Sequence, residues 1–151
     1  MGEVEEIDVI DRAGNALPSF VWEELVTTGK QRVHAGFRVV VDIQGSIRES
    51  SVNYSRLDAL RDLSKILKED GYVMAVWGVE DGFYETGLSQ GSGYGYFKFD
   101  DGTQTKAVRA IAKKISQQDR QNLVEIGLTQ PPWTPTGYAA PAASSRKAFL
   151  S

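Results

Sequence analysis

In the run GYGYFKF, residues 93–99, Tyr94, Tyr96 and Lys98 alternate with Gly95, Phe97 and Phe99. Strict alternation sends successive side chains to opposite sides of a sheet. One face therefore reads as core, and the other carries two phenol rings and an ammonium group. Exposed rings in a row form a platform on which flat π-systems stack, and a lysine beside them can meet an anion. Gly93 and Gly95 keep the backbone slim where a ligand or a neighbouring strand approaches.

Other chemistry is poorly supplied. The chain has no cysteine and one histidine, His34. Disulfide frameworks, zinc thiolates and thiol nucleophiles are excluded, and a Ser-His-Asp relay would have to be built around that single ring, which reads as a packing or surface histidine. Asp42 with Glu80 or Asp81 is the carboxylate pairing left open for a metal. The loop GSGYG is followed neither by a helix nor by Gly-Lys-Ser/Thr, so it does not read as a phosphate cradle. The expectation is a non-catalytic protein with no cofactor and no metal.

A chain of 151 residues is long enough to bury roughly 68–70% of its unfolded surface in one core. No apolar run reaches the roughly 18 residues a membrane helix needs, and the start, MGEVEEID, lacks an apolar signal core. The reading is a cytoplasmic protein with no membrane partner. Its net charge of −3 is uneven: Glu3, Glu5, Glu6, Asp8 and Asp11 against Arg12 put −4 in the first 12 residues, leaving about +1 for the rest. That balance permits an anionic partner without constituting a basic footprint.

The elements that must position the tyrosines follow from periodicity and punctuation. VEEIDVID alternates like a short strand, and Pro18, Ser19 and Gly29 bracket PSFVWEELVTTG as a short helix. FRVVVDI, ending at Ile43, is β-branched and reads as a strand. NYSRLDALRDLSKILKEDG spaces Leu57, Leu60, Leu63, Ile66 and Leu67 as one helical face, with Gly71 as the stop. YVMAVWGV reads as a strand, EDGFYETGLSQGSG as a long turn-rich connection, and TQTKAVRAIAKKIS as a second helix. LVEIGL is a last strand before a Pro/Ala/Ser-rich segment. From Gly36 onward this order is βαββαβ. It predicts an α+β, ferredoxin-like sandwich: a four-stranded antiparallel sheet with two helices on one face. The expected organisation is an N-terminal strand-and-helix extension over residues 1–35, the sandwich over 36–130, and a flexible tail over 131–151.

With that order in place, Gly93–Phe99 resembles the RNP1 segment of RNA recognition motifs, whose pattern is K/R-G-F/Y-G/A-F-V-x-F/Y. The resemblance covers about residues 36–131. It implies single-stranded RNA binding on the open sheet face, with Tyr94 and Tyr96 at the two stacking positions, Lys98 beside them, and Arg38, Gln44 or Arg48 as polar contacts at the rim. Ser92 stands where the motif has a basic residue, and Phe97 replaces its valine. The partner motif on the first strand would need an aromatic where FRVVVDI offers Val39 or Val40. A protein-interaction or assembly module of the same fold, its sheet face covered by its own extension or by another chain, is the alternative. Trp133, alone in the Pro-rich tail, is a candidate anchor for a protein partner or for self-association.

Overall fold

The computed structural model describes residues 2–29, 33–86 and 91–115. Its first half is a β-meander: β1 (Glu5–Ile10), β2 (Ala16–Thr28), β3 (Val33–Ile43) and β4 (Ser46–Glu49). The helix α1 (Arg56–Glu69) follows, then β5 (Val73–Met74), a 3₁₀ turn (Trp77–Val79), β6 (Phe83–Tyr84), β7 (Tyr94–Phe97) and β8 (Val108–Arg109). Two antiparallel sheets result, one of five strands in the order β4-β3-β2-β1-β5 and one of three in the order β6-β7-β8.

The ferredoxin-like expectation is overturned by these elements. The described residues hold one α-helix, not two, and eight strands in two sheets instead of four in one. The segment read as a short N-terminal helix is the longest strand, β2, paired with β3 from Phe20↔Asp42 to Thr28↔Val33 and bulged at Val26/Thr27. The segment read as a second helix contributes β8 and a series of long-range backbone bonds. Ala110 N–H donates to Gly93 (2.8 Å), Gly78 N–H to Ala110 (2.8 Å), Trp77 N–H to Ala112 (3.2 Å) and Lys114 N–H to Ala75 (2.9 Å). The predicted strand at 123–128, the tail and Trp133 lie outside the described residues.

The helix forms where the sequence places it. Ser55 caps its start, Oγ accepting from Asp58 N–H at 3.0 Å, and Gly71, at φ 86°, takes the left-handed stop. Leu57, Leu60, Leu63 and Leu67 face one side of the large sheet, packing with Ile7, Val9, Val21, Val39, Val41 and Ile43. The small sheet closes the same core through Phe83, Phe99, Ala110 and Ile111 around Trp77. Trp77 lies 5.3 Å from Phe97 and 6.4 Å from Phe99, ring centre to ring centre. Helix and small sheet thus share one face of the large sheet. Among the described residues no helix is long and apolar enough to cross a membrane.

Candidate functional site

The tyrosine row lies on the small sheet. Tyr94 and Tyr96 are exposed and half-buried respectively, Gly95 is buried between them, and Lys98 beyond them is exposed, so the alternation read from GYGYFKF is realised in β7. β7 is the central strand, and its neighbours decide what accompanies the rings. β6 sets Tyr84 directly opposite Tyr96, ring centres 5.9 Å apart and tilted by 34°. Tyr84 Oη is held by Gln104 Oε1, and burial followed by the neighbouring Tyr96 pushes the Tyr84 phenol above its ordinary pKa. Three tyrosines therefore share one face, the third supplied by a strand that the sequence reading treated as connection.

β8 sets Arg109 opposite Tyr94, but that guanidinium is engaged elsewhere. Arg109 bonds Glu5 and lies 3.4 Å from Glu23, which Arg56 approaches at 3.7 Å from the other side. Arg56 also lies 4.1 Å above the Phe37 ring. Burial raises the Glu23 carboxyl above the usual carboxylate range, the two arginines opposing that shift. This cluster fastens the small sheet and the helix start to β1 and β2, a fastening that spacing in sequence did not reveal. Glu85, after Tyr84, is also raised by burial, and its Oε2 has no hydrogen-bond partner among the described residues.

Arg38 and Val40 lie in β3 of the five-stranded sheet, not in the sheet that carries the tyrosine row. Gln44 sits at the β3–β4 turn with φ 53°. Arg38 is paired with Glu24 at 3.0 Å and Glu49 at 3.8 Å, and Arg48 with Asp70. The hydrogen bond from Trp22 and then Arg38 hold the Glu24 carboxyl below its ordinary value. Val40 is buried, yet it faces away from the core. It stands opposite Trp22 on β2 and Glu49 on β4.

That direction exposes a second surface. Helix and small sheet cover the face bearing Val21, Val39 and Val41. The opposite face presents Phe20 and Trp22 from β2, Val40 from β3 and Ile47 from β4. Phe20 is 46% and Ile47 60% exposed. Phe20, Asp42 and Ile47 stand in one cross-strand row, and Trp22, Val40 and Glu49 in the next. No described element packs over them. The helix reading of PSFVWEELVTTG concealed this patch by dispersing Phe20 and Trp22 around a wheel.

Among the described residues no group of three His, Asp or Glu side chains is placed to hold a metal ion. Comparison of the chain with protein-family models, curated proteins and solved structures finds no match.

Proposed function

We propose that the chain is a non-catalytic binding module whose partner is another protein, held on the outer face of the five-stranded sheet. The observation that carries this reading is Phe20, Trp22 and Ile47, exposed or half-buried around the buried Val40 on a sheet face that no described element covers. Apolar groups gathered on an otherwise polar surface are what association removes from water, and aromatic side chains dominate the energetics of such contacts.

A second reading, single-stranded RNA, is favoured by the row of Tyr84, Tyr94 and Tyr96 with Lys98 alongside. It ranks second on charge. RNA affinity depends on cations that replace counterions along the phosphates. Arg109, opposite Tyr94, is already committed to Glu5 and Glu23, and Asp100 and Asp101 follow the row directly.

Photo-crosslinking from single positions separates the readings. A benzophenone amino acid in place of Ile47 is expected to give discrete protein adducts in extracts of the source cells. The same group in place of Tyr54, 92% exposed on the α1 side of the chain, is expected to give none. Equal adducts at both positions would refute the protein reading. Saturable, salt-sensitive RNA binding that is lost in Tyr94→Ala/Tyr96→Ala would transfer the function to the tyrosine row.

A further inference from the structure

Resting on that reading, we infer that the outer face takes a basic amphipathic helix of another protein, its apolar stripe over Phe20, Trp22 and Ile47 and its Lys/Arg flanks over the surrounding carboxylates. Phe20 and Trp22 form the apolar centre on β2, with Ile47 beyond Asp42 on β4, and carboxylates lie between and around them. Alternation along each strand puts Glu6 and Asp8 of β1, Glu24 of β2, Asp42 of β3 and Glu49 of β4 on the same face. The cations that meet these carboxylates are Arg38, shared by Glu24 and Glu49, and Lys113, 3.1 Å from Asp8. Acidic groups remain in excess on both sides of the patch, toward β1 and toward β4.

The dimensions fit a helix. From β1 to β4 the face spans three inter-strand gaps, roughly 14 Å at the usual strand spacing. A helix with its side chains is about 10–12 Å across. Laid along the strands over β2 and β3, it would centre on the apolar residues and bring its flanking positions above Glu6 and Asp8 on one side and Glu49 on the other. Excess carboxylates at both margins favour Lys or Arg at those flanks and repel Glu or Asp, which gives the face a preference in sign as well as in hydrophobicity.

Two synthetic peptides test this, each of about 18 residues and sharing one leucine stripe. One carries Lys on both flanks and the other Glu. Titration into the isotope-labelled protein is read by amide shifts and by fluorescence anisotropy at two salt concentrations. The expected result is saturable binding of the Lys peptide at least tenfold tighter than the Glu peptide, weakening with salt, with shifts concentrated on β2, β3 and β4. Glu6→Lys/Glu49→Lys should reduce affinity for the Lys peptide about tenfold, and Phe20→Ser/Ile47→Ser should abolish it. All four positions are surface-facing, and unchanged amide dispersion confirms that the variants stay folded. Equal affinity for both peptides, no binding of either, or shifts confined to other surfaces would overturn the inference. So would a dimer of the chain that Ile47→Ser dissociates, which would make the occupant a second copy. The crosslinks from position 47 judge the protein reading separately from these titrations.

Discussion

Replacing Gly95 with alanine tests whether the tyrosine row is built on a close approach that only glycine permits. Gly95 does not have a positive φ, so its backbone is open to any residue. On propensity alone the substitution should stabilise a strand by about 0.5–1 kcal/mol. The surroundings reverse the sign. A Cβ at this position would lie 2.4 Å from the Tyr84 carbonyl oxygen and 2.6 Å from Phe83 Cζ. Relieving those contacts requires β6 to withdraw by about 1 Å, because carbon atoms settle near 3.5–4.0 Å. Phe83 is one of the buried core residues and cannot swing into solvent without opening the core. Overpacking of this kind costs about 1–3 kcal/mol. With a urea slope of about 2 kcal/mol/M, a net loss of about 2 kcal/mol lowers the midpoint by about 1 M. Equilibrium urea unfolding by circular dichroism measures the loss. Amide exchange should locate it, since Lys98 N–H donates to Gly82 at 3.0 Å across the same junction and should lose protection first. A variant as stable as the wild type, or more stable, would falsify the close-approach account of β7.

Ser55→Ala removes the side-chain oxygen that caps α1 and should cost about 1 kcal/mol, lowering Tm by about 2–4 °C; an unchanged Tm would mean that water caps the helix equally well. Glu23→Gln should alter the pH dependence of stability. The folded carboxyl has a raised pKa, so its protonated form is favoured by folding, and that contribution is complete below the unfolded value and lost as pH rises through the folded one. The variant lacks the loss, so its stability relative to wild type should improve as pH rises through that window, and a relative decline in parallel urea titrations would contradict the burial argument. Leu60→Ala deletes a fully buried side chain between α1 and the 3₁₀ turn and should cost about 2–5 kcal/mol by the same assay, with a loss under 1 kcal/mol refuting its place in the core.

The helix, β1 and β7 were legible because each follows one period with one buried face, and β3 because it is a β-branched apolar run. Leu57, Leu60, Leu63 and Leu67 recur at helical spacing, while Tyr94–Phe99 alternates. β2 was not legible, for a reason visible in its pairing. Glu23 points toward the core side and Phe20 and Trp22 point away from it, so both faces mix apolar and charged groups and the period of two is blurred. Pro18, Ser19 and Gly29 then resembled helix punctuation. KAVRAIAKK carries good helix formers, but its backbone bonds to Gly93, Gly78, Trp77 and Ala75 replace the intrahelical ladder, an override of local propensity by tertiary pairing. Of the candidate residues, Tyr94, Tyr96 and Lys98 were placed together by alternation alone. Tyr84 could not be added from sequence, because its position depends on β6 pairing in register with β7. The outer patch was hidden by the same misreading that hid β2.

The strand order β4-β3-β2-β1-β5 also fixes a schedule for the emerging polypeptide. The meander needs only neighbours in sequence, so β1 to β4 can pair as soon as residue 49 has left the ribosome. β1 then still has a bare edge, which is filled only when Val73 and Met74 follow the helix out. Glu5 waits longer still, because its guanidinium partner belongs to Arg109, whereas Glu23 can meet Arg56 first. During synthesis the half-made sheet therefore exposes an unpaired edge and uncompensated carboxylates together, and the negative charge on that edge discourages pairing with another nascent chain until the proper strand arrives.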